Sequence, residues 1–344
     1  MVQTLLENLK IMKQTTSFLA ILALGGALWA CQPEDLPEPA LAPVAEEIPE
    51  PNKVNPAARI SLGSSKLTSH FQNWLNSNGY GGYDFEGGYG DSYGGKASSS
   101  DPVNNQPVIF IHGNSDNAAG WENSINYFLS QGYRSSELYA ITWGPNNSSM
   151  ASSQYHSYEY LTRIRTFIQA VKAYTGASKV DVIGHSMGVT LGRKAIQGGS
   201  AYDGAAGGTY NLGSRLSYVD TFLGIAGGNR GLTACYYSPY SATCSDRNGF
   251  YPGYLYYGFG PYGVSDLLTG LNSSGVREGS YIYSMWSTVD QIIGYGCVVY
   301  GVNTCRIPGQ NGEKSFSSVP YGHFGLKDET EYYQWRMVKY HSTN

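Results

Sequence analysis

Charge is scarce in this sequence. Asp, Glu, Lys and Arg make up 14% of 344 residues, and 22 basic against 26 acidic side chains leave a net charge of −4. There is no positive field to draw a nucleic-acid backbone and no basic cluster to grip one, so nucleic acid is excluded as a partner. Cysteine is sparse as well. None of the five is spaced Cys-x-x-Cys, which removes the zinc ribbon and the dithiol redox motif. Long apolar runs are missing near the start, where Phe18 to Trp29 falls short of the roughly 20 residues that a bilayer-spanning helix needs. That run reads as a targeting segment to be cleaved and not as a mature span.

What is there begins with an address. Lys13 precedes the apolar run, and Leu28-Trp29-Ala30-Cys31 follows it; the whole resembles a bacterial lipoprotein signal with its lipobox. Residues 1–31 are therefore expected to be a signal segment with Cys31 as the lipidated residue, which makes the membrane a partner through an N-terminal lipid anchor. An ordinary secretory signal with an incidental cysteine is the alternative. Residues 32–57 are rich in Pro and Glu with almost no aromatic side chains, a composition that cannot bury enough apolar surface to order itself and reads as a tether. Removing Cys31 leaves Cys235, Cys244, Cys297 and Cys305. In an oxidising compartment the simplest pairing is 235 with 244 and 297 with 305, although three connectivities are formally open.

The remaining residues, 58–344, suit one large α/β domain. Its centre is Val180-Asp181-Val182-Ile183-Gly184-His185-Ser186-Met187-Gly188, continuing as Val189-Thr190-Leu191. An apolar β-branched run that breaks into Gly-x-Ser-x-Gly and resumes with helical character predicts strand, tight turn and helix, with the Ser186 hydroxyl at the tip of the bend. The pattern alone is weak in a chain with 44 glycines; its flanks give it weight. The helix mouth aims the Met187 N–H at an oxyanion forming beside Ser186. Upstream, Pro107-Val108-Ile109-Phe110-Ile111-His112-Gly113-Asn114 predicts a buried strand ending where hydrolases of this architecture place the second oxyanion donor, here the Asn114 N–H. His112 is expected to hold that loop.

Helices are predicted over 119–131 and 158–174, strands over 137–143, 219–226 and 280–287, and a C-terminal helix over about 327–340. Strands alternating with helices imply a mainly parallel sheet. The Gly/Tyr-rich stretch 78–96 is expected to be a surface loop. From 233 to 275 the pattern breaks into a cap-like insertion crowded with tyrosines, Tyr236, Tyr237, Tyr256 and Tyr257 among them. Tyrosine offers rigid apolar area with a wettable tip, which suits contact with an insoluble substrate; a polar-capped subdomain that merely covers the core is the alternative.

A serine nucleophile needs a general base, and the base needs a carboxylate. Only His323 and His341 follow Ser186. His341 sits near the end of the sequence, whereas His323 lies between turns ahead of a helix. Among the intervening aspartates, Asp290 directly follows its strand, at the carboxyl end where catalytic groups of open α/β sheets collect, while Asp220 opens its strand. A turn-capping role for Asp290 is the alternative.

Taken together, Pro-Val-Ile-Phe-Ile-His-Gly-Asn, Gly-His-Ser-Met-Gly-Val, Ala-Gly-Gly-Asn-Arg-Gly-Leu, Asp290 and Gly-His-Phe make residues 105–340 resemble the lipase class 2 group of α/β hydrolases. Within it, the likeness is to an extracellular poly(3-hydroxybutyrate) depolymerase. The resemblance implies a serine carboxyl-ester hydrolase with Ser186, Asp290 and His323 as triad, oxyanion donors at Asn114 and Met187, and no metal or organic cofactor. It also implies that Tyr155, beside His156-Ser157, contributes to polymer binding. The expected substrates are polyhydroxyalkanoate chains or, alternatively, long-chain glycerides. The hypothesis of another class is a surface-binding lipoprotein without chemistry.

Overall fold

The computed structural model describes residues 59–64 and 66–344. The signal segment, Cys31 and the tether lie outside the described residues. Six strands, β1 (Val108–Ile111), β2 (Leu138–Ile141), β3 (Val180–His185), β4 (Val219–Ile225), β5 (Tyr281–Ser287) and β6 (Gly312–Phe316), form one sheet in the order β6-β5-β4-β3-β1-β2. Every pairing in it is parallel. This is an α/β-hydrolase fold.

The four inner apolar runs read as continuous because helices cover both faces of the sheet. Alternate residues feed two cores: Ile109, Ile111, Val182 and Phe222 pack with Phe71, Phe167 and Leu191, whereas Val108, Phe110, Ile183 and Leu223 pack with Trp121, Phe128 and Met337. That two-residue alternation is the strand period itself. The long helix Tyr158–Thr175 starts at Ser157, whose side chain accepts the Tyr160 N–H, and stops at Gly176 with φ of 69°, a left-handed position where glycine pays no side-chain penalty.

Four expectations change, beginning with the C-terminal helix of about 327–340, which is two helices, Gly325–Asp328 and Glu331–Tyr340. The 119–131 helix is split into a 3-10 turn, Ala118–Trp121, and a helix, Glu122–Ser130. The 78–96 stretch is not wholly superficial: Phe85, Ser92 and Tyr93 are buried, and Tyr93 pairs antiparallel with Ala140. It thus gives the outer edge of β2 a hydrogen-bonding partner that an edge strand otherwise lacks. The 233–275 segment contains a short helix, Thr233–Tyr237, a hairpin of Tyr254–Tyr256 with Phe259–Tyr262, and a helix, Asp266–Ser273. Disulfides join Cys235 to Cys244 and Cys297 to Cys305, one inside this segment and one just beyond it.

Candidate active site

β3 ends at His185 and the helix Met187–Gln197 begins two residues later. Between them Ser186 has φ of 54°, a backbone region that costs a non-glycine residue strain and persists only where surroundings impose it. They do so through the Ser186 N–H, which donates to the Ile225 carbonyl of β4 at 2.8 Å. The elbow glycines are needed for close approach. A Cβ on Gly188 would lie 2.3 Å from the His112 carbonyl oxygen and 2.4 Å from that of Ile111, and one on Gly113 would lie 2.9 Å from the Ser186 Cβ. The end of β1 therefore runs directly against the elbow.

His112 does hold the loop that follows β1. Its Nε2 accepts the Trp143 N–H at 3.1 Å, so Nδ1 carries the proton and donates to the Gly113 carbonyl at 2.7 Å. Burial pushes this imidazole down to about 4, which keeps it neutral near pH 7. Past it, the Asn114 side chain donates to the Ala151 carbonyl at 2.9 Å. Among the described residues, neither the Asn114 nor the Met187 main-chain N–H has an acceptor.

Asp290, fully buried just beyond β5, faces His323: Nδ1 donates to Oδ2 at 2.8 Å. The other carboxylate oxygen accepts the N–H groups of Ile292 and Ile293, each at 2.8 Å. The turn-capping and histidine-pairing alternatives for this residue therefore coexist. His341, the other histidine after the elbow, pairs with Asp220, at 3.5 Å, and Asp220 also pairs with Lys179. That couple sits at the amino end of β4, away from Ser186.

Ser186 and His323 line one cavity of about 470 Å³, which Gly113, Asn114 and Met187 also line. Leu232, Phe250, Ile292, Ile293 and Phe324 supply apolar wall. The Ser186 hydroxyl and the His323 Nε2 make no hydrogen bond among the described residues, to each other or to anything else. Contacts of this kind commonly tighten only when substrate is bound.

Two side chains that support His323 escaped the sequence reading. Gln291 Oε1 accepts the His323 N–H at 3.0 Å, and His185 Nε2 donates to the His323 carbonyl at 3.0 Å, with the two imidazole centroids 4.7 Å apart. Burial, with His323 nearby, holds the His185 imidazole well below its ordinary range, so it acts as a neutral strut. Its place beside Ser186 was the only sequence hint.

None of the five tyrosines singled out lines the cavity. Tyr155 is half-buried, and its hydroxyl donates to Asp203 Oδ1 at 3.1 Å. Tyr236, Tyr237, Tyr256 and Tyr257 are exposed, by 43%, 79%, 62% and 85%, so these four present ring surface to solvent and Tyr155 presents little.

Residues 105–336 match the family described as Lipase (class 2). Among solved structures, the chain is similar to the mature form of the Bacillus licheniformis lipase BlEst2, at 12% identity over 72% of this chain and 98% of that one, with a TM-score of 0.46. It is similar to Aspergillus fumigatus lipase B at 14% identity over 64% of this chain and 49% of that one, with a TM-score of 0.41. Naproxen esterase from Bacillus subtilis matches at 11% identity over 74% and 88%, with a TM-score of 0.37.

Proposed function

The chain belongs to the class 2 lipase family, and from that premise we propose that it is an exported, lipid-tethered serine esterase that hydrolyses polyester chains through an acyl-enzyme on Ser186. One observation carries the reading: His323, held from behind by the buried Asp290, and the strained Ser186 line the same largely apolar cavity. In this reading Ser186 Oγ attacks the ester carbonyl carbon while His323 Nε2 takes its proton, and Asp290 stabilises the imidazolium. The N–H groups of Asn114 and Met187 receive the oxyanion. Collapse of the tetrahedral species breaks the bond to the leaving alcohol, which takes the proton from His323. Water then attacks the acyl-enzyme, with His323 again as base, and releases the acid.

Polyester is favoured by the exposed tyrosines of the 233–275 segment, Tyr236, Tyr237, Tyr256 and Tyr257, which suit adsorption to an insoluble surface; Tyr155 serves that surface only indirectly, through its structural bond to Asp203. A glyceride substrate is the second reading, supported by the apolar wall of Leu232, Phe250, Ile292 and Ile293, which suits a long acyl chain. Protein lacking residues 1–57, assayed in parallel on amorphous polyhydroxybutyrate, triolein and p-nitrophenyl esters of graded length, separates the two. Polymer turnover well above triolein turnover is expected, and the reverse order would favour the glyceride.

The domain plan completes the proposal: a signal ending at Cys31, a tether over 32–57, and a catalytic domain over 58–344 with its cap at 233–275. Disulfides in that domain fit export to an oxidising compartment. Cys31→Ala is expected to lose fatty-acid labelling and membrane association; continued fractionation with membranes would remove the anchor from the account.

A further inference from the structure

We propose that Gln154 is a positioning residue that sets the orientation of the Asn114 oxyanion donor; the inference rests on the serine-esterase reading above. The Asn114 N–H belongs to the peptide that Gly113 opens, and Gly113 cannot steer it. It has no side chain, and the 2.9 Å approach of its virtual Cβ to the Ser186 Cβ forbids one. His112 Nδ1 holds the carbonyl of that same peptide at 2.7 Å on one side, and the constraint on the other side comes from the following residue. Ser115 has φ of 57°, a left-handed conformation that a serine does not hold unaided. The Ser115 hydroxyl bonds Asn114 Oδ1 at 2.8 Å and the Asn147 carbonyl at 3.1 Å, and its main chain is held by Gln154, whose Oε1 accepts the Ser115 N–H at 3.1 Å.

Gln154 is itself immobilised. It is 1% exposed, its Nε2 donates to the Pro145 carbonyl at 2.7 Å, and its own carbonyl accepts the Thr243 hydroxyl at 2.6 Å. Thr243 lines the cavity with Ser186. One buried amide thus fixes the turn after Asn114 and sits against a residue of the cavity wall. Its chemistry fits the place. A neutral carbonyl oxygen accepts the Ser115 N–H without setting a negative charge beside the developing oxyanion, which a glutamate would do.

The test compares Gln154→Met in the parent and in a Ser115→Gly background, because glycine adopts the left-handed conformation without help. Three readouts are needed: kcat and KM on p-nitrophenyl butyrate, affinity for a trifluoromethyl ketone that becomes tetrahedral on Ser186, and Tm. In the parent, Gln154→Met is expected to lower kcat about ten- to hundredfold, less than outright loss of an oxyanion donor. KM should change little, and ketone affinity should fall with kcat. In the glycine background the same substitution should cost several-fold less. Parent-like kcat and ketone affinity in Gln154→Met would overturn the proposal. So would an equal loss in both backgrounds accompanied by a fallen Tm, which would make Gln154 an ordinary core amide. If Ser186 is essential and Gln154→Met is silent, only this inference fails; if Ser186 is dispensable, the esterase reading fails first.

Discussion

Asp290 uses its two carboxylate oxygens for different work: Oδ2 accepts a hydrogen bond from the His323 Nδ1–H at 2.8 Å while Oδ1 accepts from the Ile292 and Ile293 N–H groups. Asparagine keeps an acceptor for those two N–H groups but turns an amide donor toward His323. The imidazole must then offer a lone pair at Nδ1 and carry its proton on Nε2, the tautomer that cannot accept from serine. Asp290→Asn is therefore expected to lower kcat by roughly 10⁴ with a near-parental Tm, whereas Asp290→Ala should lose both activity and stability, because two N–H groups go unpaired. Full activity in Asp290→Asn would remove this residue from the mechanism.

How much of this was legible beforehand follows from the reach of each signal. The inner strands were legible because residues such as Val108, Ile109, Phe110 and Ile111 are apolar in a row, as burial on both faces requires. Asp290 and His323 could be found from chain order and strand ends. β6 was not found: Gly-Glu-Lys-Ser-Phe is a half-exposed edge strand, with neither a continuous apolar run nor a clean alternation to mark it. Nor were the helix Ser69–Ser77 and the hairpin of Ser200–Asp203 with Gly208–Asn211. Gln154 and Gln291 were invisible for another reason. Their partners, Ser115 and His323, lie 39 and 32 residues away, and a neutral amide carries no motif.

The exposed tyrosines should matter for insoluble substrate and little for soluble ester. Tyr237, Tyr256 and Tyr257 offer ring surface to solvent, and a buried aromatic contributes about 1–3 kcal/mol to an apolar contact. Replacing all three by Ala is expected to depress hydrolysis of polymer films about tenfold or more, with p-nitrophenyl butyrate turnover within a few-fold of the parent. Tyr155→Ala should instead cost stability, through the lost bond to Asp203. Equal losses on film and soluble ester, with a lowered Tm, would show the three to be structural.

Asp181 is a stability element at the far end of β3. Burial pushes its carboxyl up to about 7, although its Oδ1 accepts the Thr221 N–H at 2.9 Å. In the unfolded chain it ionises near 3.9. Between these values the folded state holds the extra proton, so stability contributed by the neutral acid is full below about pH 4 and is lost as pH rises toward 7. Asp181→Asn, which keeps the acceptor and cannot ionise, should raise Tm at pH 8 and change it little at pH 4, with kcat unaltered at both. A Tm gain that is the same at both pH values would contradict the assignment.

The central claim is that Ser186 is the nucleophile of an ester hydrolase. A fluorophosphonate probe, read by intact mass and peptide mapping alongside p-nitrophenyl butyrate turnover, tests it most directly. The account predicts one adduct per chain, on the peptide that carries Ser186, with activity lost in proportion to labelling. Ser186→Ala should take no label and show no turnover while melting at the parental temperature. Labelling at another residue, or turnover that survives in Ser186→Ala, would contradict the account.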